Sequence, residues 1–369
     1  MNKNSNGARK ILALLFFSLF IPSLVLAQEI PQEEVFEAKI LEIVNEKEIE
    51  QGDGTRFIQQ DIKLLGLGGA WDGEEVLFNG ISDLVVLNSN VYKVGDKVLV
   101  SAVEEVGGAT GFYVIDYVRR ASLFWLGFIF FLIVLVVGKL KGVRSLLSLV
   151  LSFLIIVKFI VPSILSGMSP LLVAILGSLA ILLVIIYVTE GINKKSNLAI
   201  LSIFISLCVV LLLSVLFTEF ARLTGLAQEE AMFLIGLQGA INFKGLLLAG
   251  ILIGTLGVLD DVVLAQIETV AQIKKANPNL TNKEVFKMAF KVGNTHLGSM
   301  TNTLFLAYAG ASLPLILLFS IGGPASQSFA NVLNNEFIAT EIIRTLVGST
   351  GIAFAIPLST LIAVKFIKK

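Results

Sequence analysis

Residues 119–144 read RRASLFWLGFIFFLIVLVVGKLKGVR, two arginines followed by an uncharged apolar run and then by Lys139, Lys141 and Arg144. An uninterrupted run of this kind is what a helix needs to cross a hydrocarbon core of roughly 30 Å, which takes roughly 20 residues. The first span therefore falls at 122–138. Working outward from it, further apolar segments lie at 145–162, 170–188, 197–217, 245–266, 297–319 and 342–364, giving seven. Lys158, near the outer end of the second, can snorkel to the interface. The stretch Ala231–Phe243 is apolar but too short to cross, and reads as interfacial or re-entrant. The expected fold is an α-helical polytopic membrane protein of about seven transmembrane helices, with a small extracytoplasmic β domain before them.

Composition agrees. Of 369 residues, 55% are hydrophobic and 15% charged, with a mean hydropathy of +0.86, whereas soluble domains carry roughly 25% charged residues. The formal net charge is zero, with 28 basic and 28 acidic residues, which excludes a nucleic-acid binder that relies on a bulk basic surface. The zero is unevenly built. Residues 28–120 hold 18 acids and 8 bases, residues 1–27 hold three bases and no acid, and residues 121–369 hold 17 bases and 10 acids. In the membrane part the bases concentrate in alternate loops: Lys139, Lys141 and Arg144; Lys194 and Lys195; Lys274, Lys275, Lys283, Lys287 and Lys291; and the tail Lys365, Lys368 and Lys369. By the positive-inside rule these loops are cytoplasmic. An outside start and an inside end require an odd number of spans. The expected location is the cell membrane, with 28–120 outside and the C-terminus in the cytoplasm.

Residues 1–27 carry Lys3, Arg9 and Lys10, then an apolar run from Ile11 to Ile21, then Val25 and Ala27 at the −3 and −1 positions of a cleavage site. This is the layout of a secretory signal peptide, with an uncleaved anchor as the alternative. Within 28–120, short alternating runs at Val35–Val44, Phe57–Leu65, Glu75–Phe78, Lys97–Val103 and Phe112–Val118 are separated by turn signals: Gly52-Asp53-Gly54, Gly66 to Gly69, Asn88 to Asn90, Gly95-Asp96 and Gly107-Gly108. Five strands in this length suit a small barrel of the OB type. It has no aromatic platform with basic flanks, so oligonucleotide binding is not indicated. Its acidity fits a solvated face, or capture of cations near the membrane. The lone Cys208 cannot form an intrachain disulfide, and the lone His296 makes a zinc site of several His or Cys ligands improbable.

The polar residues inside the spans carry the functional reading. In the fifth span Gly250, Gly254, Gly257 and Asp261 are spaced by four, three and four, so they share one face, with Asp260 about 100° around. Glycines at this spacing let another helix approach closely, which would turn Asp261 toward protein. Asp261 lies roughly 22 Å from the outer end of that span, in the cytoplasmic half of the bilayer. The structural reading makes both aspartates helix caps or interface groups; the functional one makes them a cation, proton or substrate-contact site. Adjacent carboxylates repel, which suits one of them to carrying a proton. In the sixth span His296, Ser299 and Thr303 share a face flanked by Thr295 and Asn302. Asn302 lies roughly 9 Å past the inner boundary. Asp260, Asp261, Gln266, His296, Asn302 and Thr303 thus form the candidate ion- or substrate-binding set, His296 having a plain interface role as its alternative. Pro314 is expected to interrupt the sixth span, and Gly348-Ser349-Thr350-Gly351 with Pro357 the seventh. Interrupted helices often line transporter sites.

These same segments resemble the YibE/F family of multi-pass bacterial membrane proteins. The likeness rests on Gly254-Thr-Leu-Gly257-Val-Leu-Asp260-Asp261-Val262, on Ala276-Asn277-Pro278, on His296, and on Asn302-Thr303-Leu304 with Ala307-Tyr308-Ala309-Gly310-Ala311. It implies the membrane location and the arrangement of a β domain before the first span, and carries over no activity. Ser299-Met300 departs from the small residue expected there, and Met300 would narrow a polar path. The leading expectation is a permease or channel-like protein for a small cation or proton-coupled solute. The alternative is a non-transporting envelope scaffold whose β domain binds a partner, and self-association through the glycine face is open to either. An enzyme is not expected: Asp260 and Asp261 are neighbours on one helix and cannot flank a shared water as paired aspartates on two helices do. His296 and Ser299 stand side by side rather than converging. No cofactor or nucleotide motif is present.

Overall fold

A computed structural model describes residues 34–50, 56–81, 91–104, 108, 110–227, 231, 234, 241–320 and 329–367. The export segment 1–27, the turns at Gly52-Asp53-Gly54, Asn88 to Asn90 and Gly107, and most of the stretch 231–243 lie outside the described residues. The described residues divide into two compact units, one within Leu26–Ile133 and one within Val134–Lys369.

The first unit is a five-stranded antiparallel sheet: β1 (Glu34–Glu50), β2 (Arg56–Gly66), β3 (Glu75–Asn79), β4 (Lys97–Glu104) and β5 (Thr110–Tyr117), in the order β3-β2-β1-β4-β5. All five expected strands are present, and β1 extends further than its hydrophobic alternation suggested. Its length serves two partners: residues from Glu34 pair with β4, and those from Ala38 onward pair with β2. Register shifts between Ile40 and Glu42 and between Ile43 and Asn45 bend the strand between these duties. The bend curls the sheet until the edge strands β3 and β5 lie beside each other as a half-barrel. Period-two alternation fills it. Phe36, Ala38 and Ile40 of β1, Ile62 and Leu64 of β2, and Val98 and Val100 of β4 are all buried inside. Arg119 pairs with Asp116 at the end of β5 and holds its carboxyl below the usual aspartate range.

The second unit is helical. The first helix, α1 (Arg120–Ile155), begins in the sheet unit and is broken inside the helical one at Lys139, whose φ of 49° and ψ of −132° are not helical. A Cβ on Gly142 would stand 2.3 Å from the Val134 carbonyl oxygen, so only glycine permits this close return of the chain. A π-helical turn (Ile156–Ile160) and a short α2 (Val161–Leu165) complete a 46-residue stretch from Arg120. At 1.5 Å per residue it measures about 69 Å, enough for two crossings. Then come α3 (Pro170–Thr189), α4 (Lys194–Phe220), α5 (Phe243–Ala276), α6 (Asn282–Ala311), α7 (Leu313–Ser320), α8 (Phe329–Asn334) and α9 (Glu336–Phe366). Five helical segments among the described residues are long and apolar enough to cross a membrane: Arg120–Leu165, α3, α4, α5 and α9.

Two expected interruptions resolve differently. Pro314 does end a helix: α6 stops at Ala311, Ser312 leaves the helical geometry, and α7 restarts at Leu313. Proline lacks the N–H that would continue the ladder and crowds the carbonyl four residues back. The seventh segment, by contrast, is one helix through Gly348–Gly351 and Pro357. The hydroxyl of Ser359 donates to the carbonyls of Ala355 and Ile356, and Thr360 donates to Ile356, so polar side chains dress the turn that proline disturbs. Gly348 and Gly351 are close-packing positions: a Cβ at Gly351 would lie 2.4 Å from Val210 of α4, and one at Gly348 3.4 Å from Thr255 of α5.

α5 is the axis of the unit, packed against α3, α4, α6 and α9. Its sequence is apolar on nearly every side, the pattern of a helix enclosed by others, and Ile251, Leu259 and Val263 are fully buried.

Candidate functional site around Asp260

The two adjacent aspartates of α5 have opposite fates. Asp260 is buried, at 7% exposure, and its Oδ1 has no hydrogen-bond partner. Asp261 is exposed. Among the described residues, the glycine face meets protein only at Gly254. Gly250 and Gly257 have nothing within 4 Å of a Cβ position, and Gly254 meets only the Tyr308 hydroxyl at 3.2 Å. Large aliphatic residues hold the other faces of α5 against four neighbours, and Gly250 and Gly257 are left open among the described residues.

Asp260 shares its face with Leu252, Leu256, Leu264 and Ile267, which fall within about 120° on a helical wheel. Toward the N-terminal end of α5, Leu252 lines a small apolar cavity of 60 Å³ with Ile175, Ser178 and Leu182 of α3 and Leu207 of α4. At the other end Leu264 and Ile267 line a cleft of 610 Å³ with Lys141, Glu190, Lys194 and Lys195. Asp260 lies about 12 Å along the helix from Leu252 and about 6 Å from Leu264. Asp260, whose Oδ1 is unpartnered, thus lies along α5 between the residues that line the two voids, and lines neither itself.

The other expected site residues differ in burial and in partners. Gln266 is buried and its Nε2 donates to the Ala289 carbonyl of α6 and to Thr360 Oγ1 of α9, both at 2.7 Å. It is a structural tie between three helices. Gly293 allows it: a Cβ there would lie 2.5 Å from Ile356 and 3.0 Å from Gln266 Oε1. His296 is half-buried, while Asn302 and Thr303 are exposed, and the Thr303 hydroxyl donates to its own helix at Ser299. Lys274, read from sequence as a loop cation, is buried and donates to the carbonyls of Val364 and Ile367 at the end of α9. Carbonyls at a helix C-terminus lack intrahelical partners, and a lysine suits them.

A second charged cluster escaped the sequence reading. Glu341 and Arg344, one turn apart on α9, form a 3.2 Å ion pair with both side chains largely buried, and the Arg344 guanidinium lies 5.6 Å from the Tyr308 ring centre. Its signal was available: an arginine inside an otherwise apolar span with a glutamate three residues earlier. No group of three or more histidine, cysteine or carboxylate side chains among the described residues could hold a metal ion.

Long apolar helices enclosing a buried carboxyl fit a helical, multi-pass membrane protein. Within that class the chain belongs to the YibE/F-like protein family, whose model matches residues 126–369. No curated protein matches the chain, and no solved structure does.

Proposed function

We propose that the protein is a membrane permease or channel-like carrier for a small cation or a proton-coupled solute, with Asp260 as its central binding group. The observation that carries this reading is the buried Asp260 carboxyl, one oxygen of which is unpartnered, lying along α5 between the residues that line two cavities. A carboxyl in such a place is costly unless a cation or its own proton completes it, which makes intramembrane ionisable groups functional by default. The cleft at Leu264 and Ile267 is the inner approach and the cavity at Leu252 the outer one. Catalysis and a bound cofactor are not part of this reading. The wider candidate set narrows to Asp260, with Gln266 as scaffold.

Around this site we read residues 1–27 as export signal or anchor, 28–120 as an extracytoplasmic domain of OB type, and 121–369 as seven spans in the cell membrane with the C-terminus in the cytoplasm. The strand order and the meeting of β3 with β5 support the OB assignment. The break at Lys139 supports two crossings in Arg120–Leu165, and α6 with α7 supplies the sixth. A second reading, a non-transporting assembly subunit, is favoured by the open strip of Gly250, Gly257 and Asp261, which would accept a partner helix. Flux decides between them. Full-length protein in liposomes should dissipate imposed proton, sodium or potassium gradients faster than protein-free liposomes. Equal rates for all three, with intact protein in the membrane, would remove the carrier reading and leave the assembly one.

A further inference from the structure

The cleft below Asp260 has a chemistry of its own. Its rim gathers charged side chains from the segment after the Lys139 break, from the end of α3, from the start of α4 and from α5. Lys141 pairs with Glu190 at 3.4 Å and Lys195 with Glu268 at 2.7 Å. Lys194, between them, has no ion-pair partner among the described residues. Three lysines face two glutamates, so the rim keeps one uncompensated positive charge. Each ammonium has three donors, and an ion pair to one carboxylate leaves others free. Asn193 adds nothing to this surplus, because its amide already donates to the carbonyls of Glu190 and Gly191 and its oxygen accepts from Ser196.

The walls behind this rim are apolar, formed by Leu264, Ala265 and Ile267. A 610 Å³ cleft with an apolar back and a cationic lip fits a ligand with an anionic head. Basic pockets between membrane helices hold phosphate headgroups in this way. We propose that this cleft is a binding site for a phosphate group, carried by an anionic lipid or by a free solute, with Lys194 as its principal contact and Lys141 and Lys195 as flanking donors. The two Lys–Glu pairs hold the flanking ammonium groups in place across four segments of chain. This goes beyond the Asp260 reading and does not need flux through the protein.

The test uses the purified full-length chain in neutral detergent. Its thermal unfolding midpoint is followed during titration with inorganic phosphate and, separately, with short-chain phosphatidylglycerol, chloride keeping the ionic strength constant. We expect saturable stabilisation by at least one probe, and apparent affinity about tenfold weaker in Lys194→Gln, the loss of one charge-assisted contact. Lys194 is exposed and unpaired, so this variant keeps the fold. Lys283→Gln, in a different segment, should bind as the parent does. Saturation by inorganic phosphate assigns a free solute, and saturation by the lipid alone assigns a headgroup. No saturable effect from either probe would overturn the proposal, as would equal weakening in Lys283→Gln, which would mean diffuse charge rather than a site.

Discussion

Replacing Gln266 with leucine keeps most of the side-chain volume but removes both hydrogen bonds that join α5 to α6 and α9. The lost contacts are the 2.7 Å bonds to the Ala289 carbonyl and to Thr360 Oγ1. Interhelical hydrogen bonds inside membrane proteins average about 0.6 kcal/mol and reach about 1.7 kcal/mol. Two of them give about 1.2 kcal/mol, with an upper bound near ~3.4 kcal/mol. The partners are not stranded, which favours the lower figure: Thr360 still donates to the Ile356 carbonyl at 2.6 Å, and Ala289 stays within its own helix. Alanine at 266 should cost more, about 3 kcal/mol, because a cavity is added to the lost bonds. The assay is equilibrium unfolding in mixed micelles, with a double-mutant cycle to Thr360→Val that isolates the Gln266–Thr360 bond. A coupling energy of about 0.6 kcal/mol or more is expected. No measurable coupling, together with an unchanged stability in Gln266→Leu, would refute the assignment of Gln266 as a helix tie.

Three further outcomes follow from the packing. Gly351→Ala should destabilise by about 1–2 kcal/mol, since its Cβ would lie 2.4 Å from Val210. Adding Val210→Ala should recover part of that loss in the same unfolding assay. Lys274→Met removes two bonds to the Val364 and Ile367 carbonyls. It should cost about 2–3 kcal/mol and speed amide exchange in the last turn of α9. The start of α6 is capped reciprocally by Thr281 and Glu284, whose carboxylate accepts from the Thr281 N–H and hydroxyl and is thereby held below the usual glutamate range. A depressed folded value means stability present above the unfolded pKa and lost as pH falls through the folded one. Parent and Glu284→Gln should therefore differ in exchange protection of the first α6 turn at neutral pH and converge in acid.

The helices and strands of this molecule can be read largely from apolar run lengths and alternation, because a bilayer demands a fixed length of helix and a half-barrel demands alternation. Residues 119–144 marked the start of the first span and, through Lys139, the break after it. What run length cannot supply is which way a helix turns. Glycine spacing pointed Gly250, Gly254, Gly257 and Asp261 inward; Gly254 does stand close to Tyr308 of α6, while Gly250 and Gly257 meet no neighbour among the described residues. Asp260 and Asp261 differ by about 100°, and the placement of the helices packed around α5 decides which is enclosed. Gln266 was singled out for its polarity at depth, but its partners come 23 and 94 residues later. Local spacing could not reveal a tie of that range. The polar residues of α6 were matched to Asp260 by depth along the membrane normal, and depth is silent on azimuth: Asn302 and Thr303 are exposed, whereas Asp260 is buried.

The central claim is that Asp260, rather than its neighbour, is the working group of this membrane unit. It is tested most directly by gradient dissipation in liposomes holding matched amounts of parent, Asp260→Asn and Asp261→Asn, with unfolding midpoints measured alongside. The account predicts that Asp260→Asn folds and loses at least about tenfold in rate, the effect of removing one essential interaction, while Asp261→Asn keeps the parental rate. An Asp260→Asn protein that dissipates the gradient as fast as its parent would contradict it.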